Sequence, residues 1–286
     1  MHYTESKITK IFGNTFDYAE KKWHSHSFAR WLASALILTF LLTLVLIELK
    51  NAGMIHWEII PANHFKAIEL AFTLLLFFEV ISMVFSLVHS VSKSVEIQLQ
   101  ILSLILLRNA FKLFGSFPND YQISLMQEKI MYMFADAFGA LILFGIIILI
   151  RRLDKHRGIC ASVDMQKSFI SVKKIIGLIL LVVFGVMIVM DVYYFFMEIE
   201  PLNFFRIFFT FMIFTDILLV FISLRYSNAY QILFRNSGFA LATIIMRLAF
   251  EAPAPFNDIL GVGAAVFVLC LIVVYNQIST KAELAK

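Results

Sequence analysis

Long apolar runs separated by short polar connections dominate the chain, and the length of each run decides what it can be. A helix needs about 20 predominantly apolar residues to cross the hydrocarbon core of a bilayer, and it satisfies its own backbone hydrogen bonds while doing so. Six runs meet that standard plainly: 29–49, 67–90, 130–150, 175–197, 203–224 and 258–278. Two more, 95–117 and 229–252, are long enough but carry charge: Glu96, Arg108 and Lys112 in the first, Arg235, Arg247 and Glu251 in the second. Ahead of the first run, residues 4–22 place Ile8, Ile11, Phe12 and Phe16 at helical spacing, with lysines on the other side. That pattern predicts an amphipathic helix in the membrane interface, followed by Trp23 and Trp31.

Composition removes the soluble alternatives. With 60% hydrophobic residues, 15% charged residues and a mean hydropathy of +0.85, the apolar surface exceeds what a water-soluble core of this size absorbs. A soluble enzyme and a nucleic-acid-binding domain are excluded. Two cysteines in unlike settings, Cys160 and Cys270, make no disulfide framework. The net charge of +4 comes from Lys and Arg strung between apolar runs, so the partner expected is the lipid bilayer, not nucleic acid.

Charge placement argues for eight spans. With the N-terminus in the cytoplasm, such a chain keeps 17 of its 24 Lys and Arg on the cytoplasmic side, seven of them in the 151–174 loop. A six-span chain would put that loop outside. The expected protein is therefore a multi-pass protein of the cytoplasmic (inner) membrane with both termini in the cytoplasm.

An internal duplication organises the spans. Glu58-Ile59-Ile60-Pro61-Ala62-Asn63-His64-Phe65-Lys66 recurs as Glu198-Ile199-Glu200-Pro201-Leu202-Asn203-Phe204-Phe205-Arg206, and Arg108-Asn109-Ala110-Phe111 recurs as Arg247-Leu248-Ala249-Phe250, at nearly the same offset. The expected fold class is thus an all-α integral membrane protein of two tandem four-helix repeats in parallel orientation, with a pseudo-two-fold axis along the membrane normal. The division reads as a cytoplasmic-face segment at 1–28, repeat 1 at 29–152, a basic linker at 153–174, repeat 2 at 175–278 and a tail at 279–286. Each repeat reads as helices a to d. The outer turns, with Glu58, Pro61 and Asn63 in one repeat and Glu198, Pro201 and Asn203 in the other, join a to b; proline and asparagine there suit a tight, ordered start to b.

Ionisable groups at membrane depth are costly and rare, and they mark pairing or a polar path. Glu79 and Asp216 each lie about twelve residues into a b helix, and Arg108 and Arg247 lie at a similar depth in the c helices. The expected pairs are Glu79 with Arg108 and Asp216 with Arg247. Two further positions carry swapped charge between repeats: Glu96 corresponds to Arg235, and Lys112 to Glu251. Near a two-fold axis a swap would turn repulsion between equivalents into attraction, which makes the c helices candidates for the centre of the molecule.

Other chemistry is not encoded. There is no Walker A sequence, dinucleotide glycine fingerprint, H-E-x-x-H or G-x-S-x-G motif, and the histidines lie in termini, loops or helix ends, where haem between helices could not use them. No cofactor, metal or enzymatic activity is expected. The small residues Gly261, Gly263, Ala264 and Ala265 suit close helix approach. The reading that follows is a channel or transporter for a small solute, an ion being the expected cargo, using the buried acid–arginine pairs. The rival is a non-catalytic membrane subunit that scaffolds or senses for a partner, as a homo-oligomer or with another protein.

Overall fold

The computed structural model describes residues 7–54, 56–57, 60–113, 127–154, 163–197, 200, 203–225 and 230–284. Within them the chain forms nine helices: α1 (Lys7–Trp23), α2 (His26–Asn51), α3 (Phe65–Ser86), α4 (Val91–Lys112), α5 (Gln127–Leu153), α6 (Val163–Phe196), α7 (Phe204–Leu224), α8 (Tyr230–Glu251) and α9 (Phe256–Leu284). Seven of these, all but α1 and α4, are long and apolar enough to cross a membrane. The protein is a helical membrane protein. Their outward faces carry large exposed apolar side chains such as Leu38, Phe138, Val189, Phe214 and Phe267, as surfaces solvated by lipid should.

The helix that misses the apolar standard is the one most enclosed by protein. α4 packs against α3, α5, α8 and α9, and half of its 22 residues are buried, among them Glu96, Gln98 and Ser103. Hydropathy penalises polar side chains on the premise that lipid receives them; here other side chains do. One apolar cluster joins α4, α5, α8 and α9 through Leu99, Leu102, Leu106, Leu143, Met246, Ala264 and Ala265. A methyl group at Gly261 would sit 3.2 Å from a Leu102 methyl carbon, so the small residues on α9 do admit α4. A second cluster joins α3, α6 and α7 around Met83, Phe184 and Phe208.

α6 begins at Val163, twelve residues before the apolar run that marks it in the sequence, so most of the basic stretch before residue 175 is helix. α1 explains why. Phe16 is fully buried against Gly177 of α6, where a methyl group would clash with the phenyl ring at 2.7 Å, and it lies 5.5 Å from the Phe85 ring of α3. Asp17 binds Lys174 at 2.7 Å, Glu20 meets His89 at 3.3 Å and the Trp23 indole donates to Ser82 at 2.8 Å. The amphipathic helix is therefore clamped to α3 and α6 through Phe16, while Ile11 and Phe12 remain exposed. Residues 155–162 of the basic stretch lie outside the described residues.

Candidate functional site

A side chain on a helix leans toward that helix's N-terminus, and this sends Arg247 from the last turns of α8 back toward the end of the molecule that carries α1. There its Nη2 lies 3.0 Å and its Nε 3.1 Å from Oδ2 of Asp216 on α7. Nη2 also donates to Oε1 of Gln98 on α4 at 3.2 Å, and Nη1 reaches the sulfur of Met83 on α3 at 3.6 Å. Gln98 in turn donates to Ser94 at 3.2 Å and to Ser86 at 3.4 Å. Arg247 and Asp216 are both buried, so the guanidinium ties α3, α4 and α7 to α8 where low local dielectric strengthens the interaction.

Beside this cluster is a cavity of about 50 Å³ whose walls include Ser94, Gln98, Lys173, Asp216, Asn236 and Thr243. Lys173, buried on α6, donates from Nζ to the carbonyl of His89 at 2.9 Å. Asn236 of α8 is also buried, and neither its oxygen nor its nitrogen has a hydrogen-bond partner. Buried polar groups are rarely left so.

Glu79 of α3 and Arg108 of α4 form the corresponding pair in the first half. They sit nearer the surface, among Phe72, Thr73, Leu76, Asn109 and Lys112. Both expected acid–arginine contacts are thus present, with unlike burial.

The charge swap behaves differently from expectation. Glu96 meets Lys93 at 3.0 Å and Arg151 of α5 at 2.5 Å, while the Arg235 guanidinium lies 4.7 Å from the Tyr275 ring of α9. Glu96 thus turns to α5 and Arg235 to α9, and the two do not pair. No ion pair among the described residues joins Lys112 to Glu251; Lys112 borders a cavity on one side and Glu251 is exposed. α4 contacts α8, and α5 contacts α9.

At the turns before α3 and α7, Asn63 accepts the Phe65 amide on its side-chain oxygen at 2.9 Å and the Lys66 amide on its carbonyl at 3.0 Å. Asn203 caps α7, its carbonyl accepting from the Ile207 amide at 3.1 Å. Pro61 precedes α3 in the first turn. Glu58, Glu198 and Pro201 lie outside the described residues.

Sequence reasoning missed a polar group at the opposite end. Asp136 of α5 is buried and accepts from the Asn257 amide nitrogen of α9 at 2.7 Å, with Asp258 alongside. Asp136 carried a usable signal, a lone acid inside an apolar run. Lys173, Gln98 and Asn236 carried less, because only packing distinguishes a buried amide or lysine from one near a helix end. No cluster of three or more His, Cys, Asp or Glu suited to a metal occurs among the described residues. No known family matches the chain, and neither a characterised protein nor a solved structure matches it.

Proposed function

We propose that this protein moves a small solute, an ion in the first instance, across the membrane, with α2 to α9 all spanning the bilayer and α1 and both termini in the cytoplasm. The eight-span arrangement is supported by the protein covering of α4's polar residues and by the distribution of Lys and Arg. The two-repeat reading is supported by the like neighbours in each half, α3 with α4 and α4 with α5, α7 with α8 and α8 with α9.

The observation that carries transport is the chamber beside Asp216. An amide with both polar atoms unpartnered, an acid and a lysine line one small void, which is expensive to keep unless something polar enters it. A second polar cavity of about 290 Å³ lies at the far end, bordered by Lys66, Asn109 and Asp136. From Gln98 to Asn109 along α4 is about 16 Å, and Leu99, Leu102 and Leu106 fill that interval in the apolar cluster. Two polar chambers divided by an apolar layer suit a carrier that opens to one side at a time better than an open pore.

The decisive experiment measures ion flux in liposomes alongside thermal stability for the unaltered protein and for Asn236→Leu. Loss of flux in a variant at least as stable as the parent supports transport through the chamber. The subunit reading keeps one specific observation in its favour, that Arg247 is already matched by Asp216 and Gln98; absence of flux in the unaltered protein would favour it.

A further inference from the structure

Two carboxylates meet where α5 and α9 begin. Asp136 is 1% exposed and Asp258 8%, Asp258 follows directly on the Asn257 whose amide binds Asp136 at 2.7 Å, and neither oxygen of Asp258 has a donor. A methyl group at Gly139 of α5 would fall 2.6 Å from Asp258 Oδ1, so a glycine is what lets the carboxylate of α9 lie against α5. Asn257, 4% exposed, spends its Nδ2 on Asp136 and leaves its Oδ1 without a partner. Asp136 and Asn257 border the cavity of about 290 Å³.

Two ionised carboxylates cannot hold that approach in a low-dielectric interior; one proton between them converts repulsion into a strong charge-assisted hydrogen bond. We infer that Asp136 and Asp258 form a proton-binding site loaded through the cavity at the end remote from α1. Asn257 fixes the acceptor, since its N–H can go only to an oxygen that is not itself donating. Asn257 also lines the cavity and keeps its Oδ1 without a partner.

Charged groups around the site come from several elements. Lys66 and Glu69 of α3 border the cavity and bind each other at 2.6 Å. Lys112 of α4 borders it too. Glu128 and Lys129 begin α5 and Glu251 ends α8. Lys112 raises the cost of an incoming cation, so the site should load by proton transfer along water rather than by entry of a metal ion.

The inference names the coupling ion of the transport reading, yet proton binding can be measured without transport. The reconstituted full chain would be titrated by infrared difference spectroscopy, following the carbonyl stretch of a protonated carboxyl group in chloride buffers of sodium and of choline. A band that titrates alike in both, and is lost in Asp136→Asn and in Asp258→Asn, is expected. Gly139→Ala, which crowds Asp258 while leaving both acids in place, should shift the band or its midpoint. A pair that stays ionised at every pH, or a band that responds to sodium at fixed pH, would overturn the proposal. So would a band that survives both Asn variants in folded protein. Flux driven by a pH gradient is the separate arm: a titrating band without flux leaves the proton site standing and removes the transport reading.

Discussion

The two acid–arginine pairs each join neighbouring helices, α3 with α4 and α7 with α8, in different surroundings. Glu79 and Arg108 keep 13% and 22% of their side chains exposed, whereas Asp216 and Arg247 keep 6% and 0%. The difference lies in what surrounds them. Arg108 faces the flank of α3, with only small gaps and Lys112 nearby, while Arg247 is walled by α3, α4 and α7 together. One acid–arginine pair is therefore a peripheral clasp and the other a buried strut, and position in the assembled bundle, not the local sequence, assigns the roles.

The largest effect should come from breaking the strut on one side. Asp216→Asn or Arg247→Gln leaves a buried charge alone, which costs about 3–5 kcal/mol. The double variant should recover much of that loss, because no isolated charge remains. Thermal unfolding in detergent or bilayer discs reads all three, and single variants as stable as the parent would show that water reaches the pair.

Half as much is expected from the clasp. Glu79→Gln or Arg108→Gln removes one partner of a pair that solvent or headgroups partly reach, and about 1–2 kcal/mol lies between the surface and buried cases. A loss equal to that at Asp216 would erase the distinction between the halves.

Much of this was legible beforehand, for identifiable reasons. The apolar runs located the seven long apolar helices because bilayer thickness sets their length, and the depth of Glu79, Arg108, Asp216 and Arg247 along their helices led to their pairing. The rest depended on rotation about helix axes and on neighbours distant in sequence. Glu96 turns to Arg151 and Arg235 to Tyr275, a choice of face that an offset between repeats does not contain. The start of α6 at Val163 accompanies the packing of α1 against Ile170 and Lys174, a contact between segments that no local periodicity reveals. Asp136 and Asp258 come together because Gly139 admits the carboxylate, which only the packed helices disclose.

Gln98 sharpens the comparison, since the clasp has no counterpart to it. Its oxygen accepts from Arg247 at 3.2 Å, and a hydrogen bond to a charged group contributes about 1.5–3 kcal/mol. Gln98→Leu should cost close to the lower figure in the parent, because Asp216 still neutralises the guanidinium, and almost nothing once Arg247 is Gln. The double-mutant cycle isolates that coupling; equal costs in both backgrounds would mean that Gln98 acts through Ser94 and Ser86 instead.

The smallest effect separates the pairs by screening alone. Salt shortens the reach of charges that contact solvent, to about 3 Å at 1 M from about 10 Å at 0.1 M, and leaves enclosed pairs nearly untouched. Raising salt changes many interactions at once, so the useful quantity is the cost of each substitution at each salt concentration, not the stability itself. The cost of Glu79→Gln should shrink as salt rises, by a few tenths of a kcal/mol out of a surface-pair contribution of about 0.2–1 kcal/mol. The cost of Asp216→Asn should fall less, since the Arg247 side chain is fully covered and only its partner Asp216 borders the chamber. If both costs fell together, ions would be reaching Asp216 through the adjacent chamber, and the strut would have to be counted as part of a solvated path.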